Sequence, residues 1–111
     1  LVGEWLDWAA AAKLLGVSVS RVRQWIREHQ LAAVVPRPKA GQQIPAALID
    51  DSGIVKGLPG VLTVLHDGGY DDAEALRFLF TEDPTIPGRP IDALRENRGT
   101  EVKRRAQAMA F

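Results

Sequence analysis

The sequence predicts a mainly α chain with one small β-hairpin. Three observations carry that prediction. Helix-capping residues stand just ahead of helix-forming segments along the 111 residues, at Asp7, Ser18 and Asp71. Apolar residues between them repeat with helical periodicity, as in Val19, Val22, Trp25 and Ile26. Only the stretch from Leu31 to Ile44 combines small and β-branched residues with a Pro/Gly-containing tip, the pattern of a hairpin. Composition agrees, with 46% hydrophobic and 25% charged residues, which excludes disorder along the whole length.

In chain order, Asp7 is expected to cap a helix from Trp8 to Leu15, ended by Gly16 in a left-handed conformation. Ser18 caps a second helix from Val19 to about His29. At about 100° per residue, Val19, Val22, Trp25 and Ile26 share one face, while Ser20, Arg21, Arg23, Gln24 and Arg27 share the other. Two short helices joined by a tight glycine turn read as a helix-turn-helix. Trp25 falls on the apolar side and reads as core, with Trp5 and Trp8 packed against it. Leu31–Val35 and Gln42–Ile44 are expected to pair around the stiff, basic tip Pro36-Arg37-Pro38-Lys39-Ala40-Gly41, making a wing. A helical turn over Pro45–Ile49 turns Leu48 and Ile49 inward, and Asp50–Gly53 is a loop.

That loop is the expected domain boundary. Residues 1–52 form a winged helix-turn-helix domain, and residues 53–111 form a helical C-terminal domain. Ile54–Val55 is expected to pair briefly as a strand. Leu58–His66 reads as a helix opened by Pro59, and Asp67–Tyr70 as a turn. Asp71 with Glu74 makes a capping box for a helix carrying Ala73, Leu76, Phe78, Leu79 and Phe80, expected to be the central apolar element of this half. Glu82–Pro90 is loop and Ile91–Asn97 a short helix. Thr100 caps a last helix from Glu101 to Phe111. The first residue is Leu1, so the natural start is expected upstream.

The net charge is zero, with 14 cations against 14 anions, but the charges are segregated. From Lys13 to Lys39 there are six cations (Lys13, Arg21, Arg23, Arg27, Arg37, Lys39) and one anion, Glu28. From Asp67 to Asp83 there are six anions (Asp67, Asp71, Asp72, Glu74, Glu82, Asp83) and one cation, Arg77. A polyanion responds to the local field, so the front half suits a nucleic acid. Guanidinium groups neutralise phosphates, while Gln and Arg can bond bidentately to adenine and guanine edges in the major groove. Ser18, Ser20, Arg21, Arg23, Gln24 and Arg27 are therefore the expected DNA-binding residues of the second helix. Arg37 and Lys39 join them from the wing, and Lys13 is a further phosphate contact.

Other chemistries find little in the sequence. No apolar run reaches the ~20 residues of a membrane span. With no cysteine there are no disulfides, thiolate metal sites or cysteine nucleophiles, in keeping with an intracellular location. His29 and His66 lack metal-ligand spacing and an evident nucleophile, and His29 reads as a helix-end residue. Asp67, Asp71, Asp72 and Glu74 do not follow a calcium loop. No catalytic, cofactor or metal residue is expected, and the chain does not read as an enzyme.

The residues Leu6-Asp7, Ala11-Ala12-Lys13-Leu14-Leu15-Gly16-Val17-Ser18, Val22-Arg23, Trp25-Ile26-Arg27, Leu31 and Ile44-Pro45 together resemble the excisionase/MerR-type winged helix-turn-helix family. That resemblance implies DNA binding through the second helix and the wing. Ala75–Leu79, Asp83-Pro84, Pro87–Leu94 and Gly99–Val102 are similar to the small helical domain of certain antitoxins that bind RES-type toxins. Both halves in order resemble an actinobacterial family of small DNA-binding proteins, of which one mycobacterial member is a substrate of a membrane Ser/Thr kinase. The resemblance implies a cytoplasmic, nucleoid-associated regulator of transcription, and a phosphoprotein with a Ser/Thr protein kinase among its partners. Two functional readings stay open: a regulator that binds double-stranded DNA, and an antitoxin-like interaction module whose C-terminal half binds a toxin or kinase.

Overall fold

Six helices and two short antiparallel strand pairs make up the computed structural model, which describes residues 2–110. The helices of the front half are set by their ends. Asp7 Oδ1 accepts from the Ala10 N–H at 2.7 Å and opens α1 (Trp8–Leu15). Gly16, at φ 69°, closes α1 by donating to Lys13 O while Val17 N–H reaches Ala12 O. Ser18 Oγ then accepts from Arg21 N–H at 3.1 Å and opens α2 (Val19–Arg27).

Helix α2 stops at Arg27, two residues earlier than the sequence pattern predicts. His29 takes a left-handed φ of 61°, its N–H bonds Ile26 O, and Gln30 N–H bonds Trp25 O. This is the closure glycine provides at Gly16, made here by a residue with a side chain. It sends Leu31, Ala32 and Ala33 straight into the core, where all three are buried.

That burial removes the expected first wing strand. Ala33 N–H bonds the Asp72 carboxylate rather than a neighbouring strand. Only Val34 and Gln43 pair, through Val34 N–H to Gln43 O at 3.0 Å and Gln43 N–H to Val34 O at 2.7 Å. The wing is a loop over residues 35–42 closed by that single pair. β2 (Ile44–Pro45) pairs instead with β1 (Trp5–Leu6), before α1. A 3₁₀ turn at Ala46–Leu48 buries Leu48 and leads into β3 (Ile49–Asp50), with Ile49 also buried, as predicted. The expected loop at Asp50–Gly53 is a tight turn that pairs β3 with β4 (Gly53–Ile54), tied by Ser52 N–H to Asp50 Oδ1.

Behind this pair lie α3 (Leu58–Asp67), α4 (Asp72–Phe80), α5 (Pro90–Arg95) and α6 (Gly99–Ala110). The capping box is formed, with Asp71 Oδ1 accepting from Glu74 N–H and Glu74 Oε1 from Asp71 N–H. The central helix is α3, not α4. Leu58, Val61, Leu62 and Leu65 are all fully buried, whereas Ala73 on α4 is exposed and Phe78 half-buried. α3 and α6 approach closely at Gly68, where a Cβ would fall 2.5 Å from that of Ala110. α6 begins at Gly99 rather than after Thr100, because a first-turn N–H needs no helical partner and glycine is tolerated there. Phe111, the expected end of this helix, lies outside the described residues. Between α4 and α5, Ile86 anchors the proline-rich loop in the core.

The buried side chains form one continuous cluster running from Leu6, Val22 and Ile44 through Leu62 and Leu79 to Val102 and Ala106. Two polar bridges add to it. Arg95 Nη1 donates to Ala47 O at 2.7 Å and Ile49 O at 3.1 Å, and Asp72 holds Ala33 N–H at 3.1 Å. The helix-turn-helix is thereby seated on the C-terminal helices through main-chain atoms. No helix among the described residues is long and apolar enough to cross a membrane.

Candidate nucleic-acid interface

The outward face of α2 is set by one fully buried residue. Val22 fixes the rotation of the helix, and at helical spacing its opposite face carries Ser20, Arg21, Arg23 and Arg27, all exposed. Gln24 is half-buried at the edge of that face. The inner face is less complete than the sequence pattern predicts. Val19 is 39% exposed, and Trp25 and Ile26 are half-buried against the core.

The cations of this face are not consumed by the acidic half. Among the described residues, Arg21, Arg23, Arg27, Arg37, Lys39 and Lys13 make no ion pair, and all six are exposed. Their local partners are aromatic rings and amides. The Arg21 guanidinium lies 5.9 Å over the Trp25 ring and that of Arg23 lies 4.9 Å over the Trp8 ring. Stacking on an indole leaves guanidinium N–H groups free to meet phosphate or base edges.

Trp8 therefore sits beneath Arg23 at the start of α1. A depression of about 230 Å³ lined by Trp8, Arg23, Ile26, Arg27 and Gln42 joins this ring to the foot of the wing. Next to it, a groove of about 480 Å³ runs along Asp7, Trp8, Ala9, Val19 and Gly41–Gln43. α2 and the wing thus flank one concave surface that begins at Trp8.

Two predicted residues are already engaged within the helix. Gln24 Oε1 accepts from Arg21 Nη1 at 3.3 Å, and Gln24 Nε2 donates to Glu28 Oε2 at 3.0 Å. The i,i+3 and i,i+4 spacing of these residues makes such a chain natural. Ser18 Oγ is the α2 cap, which leaves its hydroxyl proton to donate outward. On the wing, Arg37 O accepts from Ala40 N–H at 3.2 Å, and Lys39 sits at φ 69°, so the tip turns sharply with both cations outside.

A second constellation was not legible in the sequence. The His29 and His66 rings stack at 3.8 Å between centroids with 18° between planes. His66 Nε2 lies 2.7 Å from Asp72 Oδ1, and the three side chains are half-buried together. His29 is thus more than the helix-end charge its position suggests. No single-chain spacing joins residues drawn from the end of α2, from α3 and from α4.

The chain is similar to known proteins over nearly its whole length. The family model described as DNA-binding protein Rv2175c, wHTH domain, matches residues 2–49, and that described as Rv2175c C-terminal domain of unknown function matches residues 55–110. The protein named DNA-binding protein Rv2175c from Mycobacterium tuberculosis (strain ATCC 25618 / H37Rv) is 48% identical over 118 residues, spanning 95% of this chain and 80% of its own length. The NMR structure of Rv2175c aligns with a TM-score of 0.86 at 45% identity, covering 97% of this chain and 82% of that one.

Proposed function

The chain belongs to the Rv2175c family of winged helix-turn-helix proteins, and on that premise we propose that it binds double-stranded DNA and regulates transcription from the sites it occupies. The observation that carries the reading is the exposed cationic face of α2, free of ion pairs among the described residues and flanked by the wing. In this reading α2 enters the major groove. Ser20, Gln24 and Arg27 meet base edges, Arg21 and Arg23 border them, and Ser18 and the first N–H groups of α2 meet a phosphate. Arg37 and Lys39 contact the neighbouring backbone from the wing, with Lys13 beyond them.

Gln24 has a specific part in this scheme. Its amide must leave Glu28 and its carbonyl must leave Arg21 before it can bond adenine bidentately. Discrimination then comes from sites that replace both bonds. The work divides between residues 1–52, which touch the duplex, and residues 53–111, which hold that half in shape. A chromosome-binding regulator of this kind works in the cytoplasm, on the nucleoid.

The test is a gel shift on random duplexes with selection of the bound pool, followed by titration of the selected duplex at several salt concentrations. With four or five phosphates neutralised, affinity falls about 10²-fold between 50 and 200 mM salt. A flat salt response, or a pool that stays random through selection, overturns the reading in its electrostatic or its sequence-reading part respectively.

A further inference from the structure

We propose that His29, His66 and Asp72 form a binding site for a first-row divalent transition ion of the zinc class. Their ligand atoms, two imidazole nitrogens and a carboxylate oxygen, all lie within 4.8 Å of one another. This donor set suits Zn²⁺, Co²⁺, Ni²⁺ or Cu²⁺ and is poor for Mg²⁺ or Ca²⁺, which take oxygen shells. The sequence holds two histidines and no cysteine, so no thiolate competes for such an ion.

Three further features point the same way. His29 Nδ1 is buried and has no hydrogen-bond partner among the described residues. A buried polar atom left unpaired is destabilising, and a metal bond would satisfy it. Asp72 is oriented from behind, because its second oxygen accepts from Ala33 N–H at 3.1 Å, the support that ligating carboxylates usually have. All three side chains are half-buried, which combines partial exclusion of water with a path for entry.

The geometry also says what loading requires. Zinc–ligand bonds of about 2.0–2.2 Å put donor atoms roughly 3–3.5 Å apart. His66 Nε2 and Asp72 Oδ1 are hydrogen-bonded at 2.7 Å, so the ion replaces the proton between them, which goes to solvent, and the two atoms move slightly apart, while the widest donor pair stands farther, at up to 4.8 Å. Two rings stacked at 18° cannot both aim in-plane lone pairs at one ion, so one ring must swing out of the stack. Stacking and metal binding exclude each other. Solvent completes the coordination shell. Bound metal would tie the end of α2 to α3 and α4, joining the DNA-reading helix to the C-terminal half. The site itself does not rest on the DNA reading.

The experiment uses the full chain without a polyhistidine tag. Zn²⁺ is titrated while the imidazole ¹⁵N resonances are followed, with Co²⁺ absorption as a second readout. The expected result is saturation at one ion per chain, with both histidine signals shifting together as the stack opens. His29→Gln and His66→Gln each weaken binding by at least roughly 10-fold. Imidazole signals that stay unmoved at millimolar Zn²⁺ overturn the proposal. So does undiminished affinity in His29→Gln, which would assign the ion to the acidic surface around Asp67 and Glu74. Should His66→Gln fail to fold, the native spectra decide alone, since each histidine reports directly.

Discussion

Arg27 and Arg23 share one face of α2 but differ in what else they touch. Arg27 has no hydrogen-bond or ion-pair partner among the described residues, whereas Arg23 covers the Trp8 ring. Arg27→Ala should therefore leave the melting temperature unchanged while weakening the duplex complex. If Arg27 meets a phosphate, the salt slope drops by about 1; if it reads guanine, about 1–3 kcal/mol is lost at one base position. Arg23→Ala should lower affinity and also cost about 0.5–1 kcal/mol of stability from the lost cation–π contact. Titrations and thermal melts of both variants separate the two effects. Trp25 differs again. It is half-buried beneath Arg21, so its truncation removes less than a fully enclosed ring would.

The elements are held by caps and turns, and these were the most legible part of the sequence. Ser18→Ala removes the acceptor for Arg21 N–H and should lower stability by about 1 kcal/mol, read as a shift in denaturant midpoint at constant slope. Asp7, Gly16, Ser18 and the Asp71–Glu74 box were readable because each acts within four residues of itself. The wing strands were not, because the burial of Leu31–Ala33 and the capture of Ala33 N–H by Asp72 depend on residues far along the chain. The same distance hid the pairing of Trp5–Leu6 with Ile44–Pro45 and the meeting of His29 with His66. The arginine face was legible from helical period alone, while its engagement of Gln24 depends on rotamers that periodicity does not carry. One loop adds a pH dependence. Asp83 accepts from Thr85 Oγ1 and N–H and from Arg105 Nε, and these bonds, Thr85 first, hold its carboxyl below the ordinary range. A lowered carboxylate value stabilises the fold above the unfolded-state value near 4, and that contribution is lost as pH falls through the folded value. Asp83→Asn should flatten the acid limb of the stability profile as pH falls below the ordinary carboxylate range near 4, measured by denaturant titration at each pH.

For the whole molecule, the continuous cluster from Leu6 to Ala106 means that the front and back halves share their apolar burial. A unit of about 50 residues buries too little surface to be secure alone. Unfolding followed by tryptophan fluorescence, which reports Trp5, Trp8 and Trp25 in the front half, should coincide with unfolding followed by far-ultraviolet circular dichroism. Leu62→Ala, fully enclosed in α3, should lower stability by about 2–5 kcal/mol and shift both transitions together. Two separated transitions would show instead that the halves stand independently. The shared cluster also bears on genetics. A lesion at a buried position of α3 or α6 would lower the amount of intact protein in the cell and so mimic the loss of a DNA contact. Alleles mapped by phenotype alone would scatter over both halves, and only normalising occupancy to the folded fraction would sort damaged contacts from depleted dose.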